Sequence, residues 1–271
     1  MRTDMPRWAG PVLAALAWLA VACIPLGAWA ADEGTEGAGK PGADWQSWRA
    51  GNDVSDRASL QRGARNFTSY CLGCHSLKYE RWSRLGEDLA IPGNLLQKDL
   101  LPPGEKTTDY ITTSMPAKDA ADWFGKTPPD LSLMARARSR DYLYQFLMTF
   151  YVDPTRQTGA NNLRLPTTAM PDVLSELGGL KGAVFRDVAA PGEGGQVGQT
   201  QVFDHFEPLV AGRLSPAEYQ AFVRDTVNFL DYVSEPTQTA RRALGVWVVL
   251  FLLVFTWFAW LMKREYWKDV H

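Results

Sequence analysis

Cysteine and histidine are nearly missing from this chain, three of each in 271 residues. Cys23, Cys71 and Cys74 cannot build a disulfide framework. With only His75, His205 and His271 beside them, the spacing also fails to assemble a paired Cys/His zinc site. No internal repeat is present, and no alternating series of apolar and polar residues marks a run of strands. A basic surface for nucleic acid is lacking too. Ala31–Ala240 carries 27 acidic against 21 basic side chains, a balance that argues against nucleic acid and favours a basic protein partner.

What is present is concentrated in five residues. Cys71-Leu72-Gly73-Cys74-His75 is a Cys-x-x-Cys-His run, the attachment site of a c-type haem. Two thiols at this spacing reach the two vinyl groups of one porphyrin, and the adjacent histidine falls on the iron from the same side. A thioredoxin-like redox pair would need a βαβ context, which the surrounding pattern does not supply. Haem c is attached after export, so the pentapeptide also places this part of the chain outside the cytoplasm.

The two ends differ from the middle. Residues 1–30 open with Arg2 and Arg7, continue through apolar Val12–Ala22 and close on Ala28-Trp29-Ala30. This is the three-part pattern of a secretory signal peptide cleaved after Ala30. Ala20-Val21-Ala22-Cys23 loosely matches a lipoprotein signal, but Ala stands three before the cysteine and apolar sequence continues past it. If Cys23 leaves with the signal, only the two haem cysteines remain. Near the other end, Leu244–Met262 runs 19 residues without a charge, enough to cross a bilayer core of about 30 Å at about 1.5 Å per residue. Arg241 and Arg242 precede it; Lys263, Arg264 and Lys268 follow, with Trp260, Tyr266 and Trp267 as interface anchors. Basic residues alone do not orient this helix. The signal and the haem motif do, predicting a bacterial inner-membrane protein with its haem domain in the periplasm and residues 263–271 in the cytoplasm.

Between the ends, residues 31–43 read as a flexible leader and 44–240 as one exported domain. A helix is predicted from about Asp56 to Tyr70, ending at the haem motif, and a short helical piece over Ser76–Ala90. Residues 91–127 read as loop-rich. Asp130 or Ser132 is expected to cap a helix through about Tyr151. Residues 178–198, rich in glycine, read as a surface excursion. Ser215-Pro216-Ala217-Glu218 is a capping box with proline at the first helical position, opening a helix that Glu235-Pro236 ends. The expected class is all-α.

His75 supplies one axial ligand. For the sixth position of an electron carrier a thioether is favoured, since it raises the potential. Met115, Met134, Met148 and Met170 follow the motif within the domain. Met134 and Met148 lie in a predicted helix and read as core filler, whereas Met115-Pro116 and Met170-Pro171 lie in proline-marked loops. Spacing does not choose between them. His205, beside Asp204 and Glu207, reads as a polar surface residue.

Taken in order, Arg62-Gly63, Cys71-Leu72-Gly73-Cys74-His75-Ser76, Pro128-Pro129-Asp130-Leu131-Ser132, Ala169-Met170-Pro171 and the single C-terminal apolar segment strongly resemble the bacterial cytochrome c1 family, the haem-bearing subunit of the quinol–cytochrome c oxidoreductase (bc1) complex. The resemblance spans roughly residues 44–268. It implies a class I cytochrome c-like haem domain with loop insertions and one C-terminal transmembrane helix. It carries over Met170 as the sixth ligand, Pro129 (or Pro128) as the carbonyl that accepts the His75 imidazole N–H, and Arg136 as the partner of a haem propionate. The additional disulfide of some members is absent. The implied role is electron transfer from a Rieske iron–sulfur protein to a cytochrome c acceptor, beside a cytochrome b subunit in a dimeric complex, the isolated chain being a carrier rather than an enzyme. The rival readings are an anchored cytochrome serving another oxidase or dehydrogenase, and a haem-based sensor, which would bind gases at an open sixth site.

Overall fold

Asp56 opens the first helix by accepting the Ser59 backbone amide on its carboxylate at 3.1 Å, which satisfies one of the donors left free at a helix start. Helix α1 then runs Arg57–Tyr70. A computed structural model describes residues 41–191 and 197–268. The predicted signal peptide, Cys23, most of the leader and the end of the C-terminal tail lie outside the described residues.

The core forms where α1 meets the best-capped helix of the chain. Ser215 accepts the Glu218 amide while the Glu218 carboxylate accepts the Ser215 amide, and this reciprocal cap starts α7, Pro216–Ser234. In α7, Val223, Val227, Phe229, Leu230 and Val233 are buried; Leu60, Ala64 and Phe67 face them from α1. Phe67 and Phe229 lie 5.8 Å apart. Gly63 permits this approach: a Cβ there would run into the Asp225 carbonyl and the Phe229 Cβ. Polar pairs then fix the register. Asp225 accepts from Ser59 Oγ at 2.6 Å and from Arg62 Nε at 2.5 Å, and Asn228 donates to Ser59 Oγ at 2.9 Å.

The short helical piece expected over Ser76–Ala90 forms only in its second half. Leu77–Arg81 is a strand, β1, and only then does α2 form over Trp82–Asp88. β1 pairs antiparallel with the two-residue β2, Tyr110–Ile111, and α3 follows at Ala117–Phe124. The helix expected through Tyr151 is broken in two: α4, Met134–Arg138, and α5, Arg140–Met148. Ser139 sits between them at φ 83° and accepts the Tyr142 amide on its hydroxyl, so one residue both ends a helix and caps the next. β3, Phe150–Val152, and β4, Ala160–Asn162, form a small antiparallel pair, and the single turn α6 spans Ser175–Gly178.

The all-α expectation is corrected by a long ribbon. β5, Leu180–Pro191, pairs antiparallel with β6, Val197–Val210, with register shifts after Leu180 and after Val184. Residues read as a surface excursion are therefore largely strand. Alternation failed to reveal it because most of the ribbon's described side chains are not buried, so its strands need no continuous apolar face. Among the ribbon's described side chains only Phe206, near its base, is buried. The last helix, α8, runs Gln238–Tyr266 and is long and apolar enough to cross a membrane. Its side chains are exposed from Leu244 to Trp260.

Candidate functional site

The haem motif is the continuation of α1. Cys71 and Leu72 donate to the Phe67 carbonyl at 2.8 and 2.9 Å, and Cys74 and His75 both donate to the Cys71 carbonyl. Cys71, Cys74 and His75 thus occupy one turn at i, i+3 and i+4, which puts three side chains on one face. Both thiols are free and half-buried. Apolar surroundings push the Cys71 thiol up to about 12, and burial also raises Cys74.

His75 is buried. Its Nδ1 lies 2.7 Å from the Pro129 carbonyl oxygen, which can only accept, so Nδ1 carries the proton and Nε2 keeps its lone pair. Burial lowers the pKa of the ring. A neutral imidazole, oriented by a backbone carbonyl and offering Nε2, is the form a metal requires. Together with two thiols on the same turn, these residues fit a covalently held haem.

The Pro128–Ser132 segment is stitched to the motif by its polar side chains. Asp130 accepts the Lys78 amide at 2.9 Å, Ser132 Oγ accepts the Tyr79 amide at 3.2 Å, and the Leu131 amide donates to the Ser76 carbonyl at 2.9 Å. Asp130 and Ser132 thereby hold β1 rather than capping a long helix. Thr113 ties a second segment to the same turn: its hydroxyl donates to the Gly73 carbonyl and its amide to Ser76 Oγ, each at 2.9 Å. Asp130, Ser132, Ser76 and Thr113 were not singled out from sequence as holding the motif. The signal was there in Pro-Pro-Asp-Leu-Ser, where Asp and Ser flank a half-buried leucine.

The two loop methionines arrive differently. The Met115 amide donates to Thr113 Oγ1 at 3.2 Å, so this residue hangs from the motif turn itself. Met170 comes on the separate connection from β4 to α6, where Thr167 takes φ 63°. A β-branched residue there carries strain of about 1–3 kcal/mol. Both methionines are half-buried, so burial does not separate them. Met148 is buried in the core and Met134 packs against it, as expected of core filler. His205 lies on β6 with Nδ1 2.9 Å from Asp204. Arg136 is exposed on α4 and has no ion-pair partner among the described residues.

Just beyond the motif, Glu80 on β1 is 3% exposed. Burial, reinforced by the Asp88 carboxylate and opposed by Arg84, pushes its carboxyl up to about 7. One of its oxygens has no hydrogen-bond partner among the described residues.

With this geometry in hand, comparison with known proteins is specific. The Cytochrome C1 family matches residues 101–184 and 207–270. A cytochrome c1 of Allochromatium vinosum is 45% identical over 81% of this chain and 87% of its own length. An ammonia monooxygenase gamma subunit of Nitrosomonas europaea is 41% identical over 81% of this chain and 86% of its own. A cytochrome b/c1 of Bradyrhizobium diazoefficiens is 26% identical over 95% of this chain, which spans 40% of that longer protein.

Proposed function

The chain belongs to the cytochrome c1 family, whose members carry one covalently bound haem c and serve as electron-transfer subunits of bc1-type complexes, and from that premise we propose its particular role. It accepts single electrons from a Rieske iron–sulfur protein and passes them to a cytochrome c acceptor, beside a cytochrome b subunit in a dimeric assembly. The observation that carries this reading is His75, buried and oriented by Pro129 on the same turn as Cys71 and Cys74.

The residues divide the work. Cys71 and Cys74 would hold the porphyrin as thioethers, each S–H adding across one vinyl group. His75 would supply a nitrogen ligand for the iron, Met170 a sulfur ligand, and Arg136 a charge for a propionate. The bound haem supplies a one-electron Fe(III)/Fe(II) couple; the chain sets its potential through the axial ligands and the low-dielectric shell. The domain follows a class I cytochrome c plan extended by insertions. A signal peptide exports it, α8 fits a single-pass anchor, and the haem domain faces the periplasm with the short C-terminal tail in the cytoplasm.

Two measurements test the proposal. Solubilised full-length protein should co-purify with a Rieske centre and a b-type cytochrome. Recovery with an ammonia monooxygenase, the assembly named for the Nitrosomonas relative, would reassign the partner. Replacing Met170 by leucine should leave haem attached, open the iron to carbon monoxide and lower the midpoint potential. The same phenotype from Met115 alone would move the sixth ligand there.

A further inference from the structure

The connection from β4 to Met170 is built on two consecutive asparagines. Asn162 is fully buried and uses both ends of its amide. Nδ2 donates to the Phe146 carbonyl of α5 at 2.7 Å. Oδ1 accepts the amides of Arg164 at 2.8 Å and Leu165 at 3.1 Å, and the Thr149 hydroxyl at 3.3 Å. Asn161 repeats the device further along. Its Oδ1 accepts the Thr167 amide at 2.8 Å, and its Nδ2 donates to Asp153 at 2.9 Å.

These bonds stand in for a missing ladder. Residues 163–169 belong to no helix or strand, so their backbone groups must find partners elsewhere. Thr167, left-handed and β-branched, persists because Asn161 holds its amide and Arg156 donates to its carbonyl at 3.2 Å. The backbone that the asparagines fix ends three residues before Met170, whose own amide donates to Thr168 Oγ1 at 3.4 Å. A loop ordered in advance spares the ligand bond the conformational entropy of ordering it.

We propose that Asn162, supported by Asn161, is the positioning residue that presents Met170 to the iron. It acts through the backbone amides of Arg164 and Leu165, as Asn161 does through that of Thr167, and not as a ligand itself. The inference rests on the reading of Met170 as the sixth ligand.

The test uses full-length protein in membranes, as Asn162→Ala, Asn161→Ala, Met170→Leu and a core control, Val227→Ala. Two spectra are read: the far-red thioether-to-iron charge-transfer band of the ferric form, and carbon monoxide binding by the ferrous form. Asn162→Ala should keep covalent haem, lose most of the band and bind carbon monoxide nearly as Met170→Leu does. Asn161→Ala should lose part of the band. Val227→Ala should melt earlier yet keep the band and stay inert to carbon monoxide, which separates positioning from general loosening. If Asn162→Ala does not accumulate, Asn161→Ala decides by the same spectra, since it leaves the buried amide in place. Asparagine variants as inert as the parent, beside an altered Met170→Leu, overturn this proposal and leave the ligand reading standing. An unchanged Met170→Leu removes the ligand reading and this inference with it.

Discussion

Glu80 gives the haem domain a pH dependence that a single side chain can account for. Its carboxyl titrates near 7 in the fold because burial penalises the charged form, against about 4.3 in an unfolded chain. The folded state therefore holds the proton more tightly. Its contribution is fully present below the unfolded pKa and is lost as pH rises through the folded one, a difference of about 4 kcal/mol. Thermal unfolding from pH 4.5 to 8 should show this loss, and Glu80→Gln should flatten it and melt higher at pH 8. Equal slopes in the two proteins would remove Glu80 as the cause. At this scale the sequence was legible where chemistry fixes spacing, as at Cys71, Cys74 and His75. It was silent on Asn162, because an asparagine reads the same in sequence whether exposed or holding four bonds.

Among the elements, the α1–α7 pairing depends on the missing side chain of Gly63. A methyl there meets backbone, at the Asp225 carbonyl, rather than a flexible tip. Gly63→Ala should cost about 1–3 kcal/mol by overpacking, seen as a lower melting temperature with haem still attached; an unchanged melt would show that the helices can separate freely. The ribbon is the contrasting case. Replacing residues 189–199 by Asn-Gly, a favoured two-residue hairpin turn, removes none of the described core residues and should shift stability by less than about 0.5 kcal/mol. Residues 185–206 fall between the two segments matched by the family, in keeping with an addition to a common core. Helices with caps and a periodic stripe, α1 and α7, were readable. The split at Ser139 and the ribbon were not, because one is a single backbone torsion and the other lacks the one-sided burial that produces alternation.

Over the whole molecule, the apolar helix and the haem domain are separable in energy. From Leu244 to Trp260 α8 contributes no buried side chain, whereas the α1–α7 core is complete by Ser234. A protein ending at Ala240 should fold and bind haem at the parent's level but leave the membrane fraction. Haem loss on truncation would mean that α8 supports the domain. The division into domain and apolar tail was legible because twenty uncharged residues in a row have few other uses. How the loops close around the motif was not, since those contacts link distant parts of the chain.

That distance has a consequence in time. Ser59 on α1 and Asp225 on α7 are 166 residues apart, and the haem turn lies just beyond the first of them. A ribosome adding about 5–20 residues per second needs on the order of 10 s to travel from one to the other. Throughout that interval the nascent pair of thiols has neither its closing helix nor the Pro129 carbonyl in its final setting. Export begun at the signal peptide would deliver this turn ahead of α7, so that the porphyrin would be attached to a motif whose closing helix has yet to arrive.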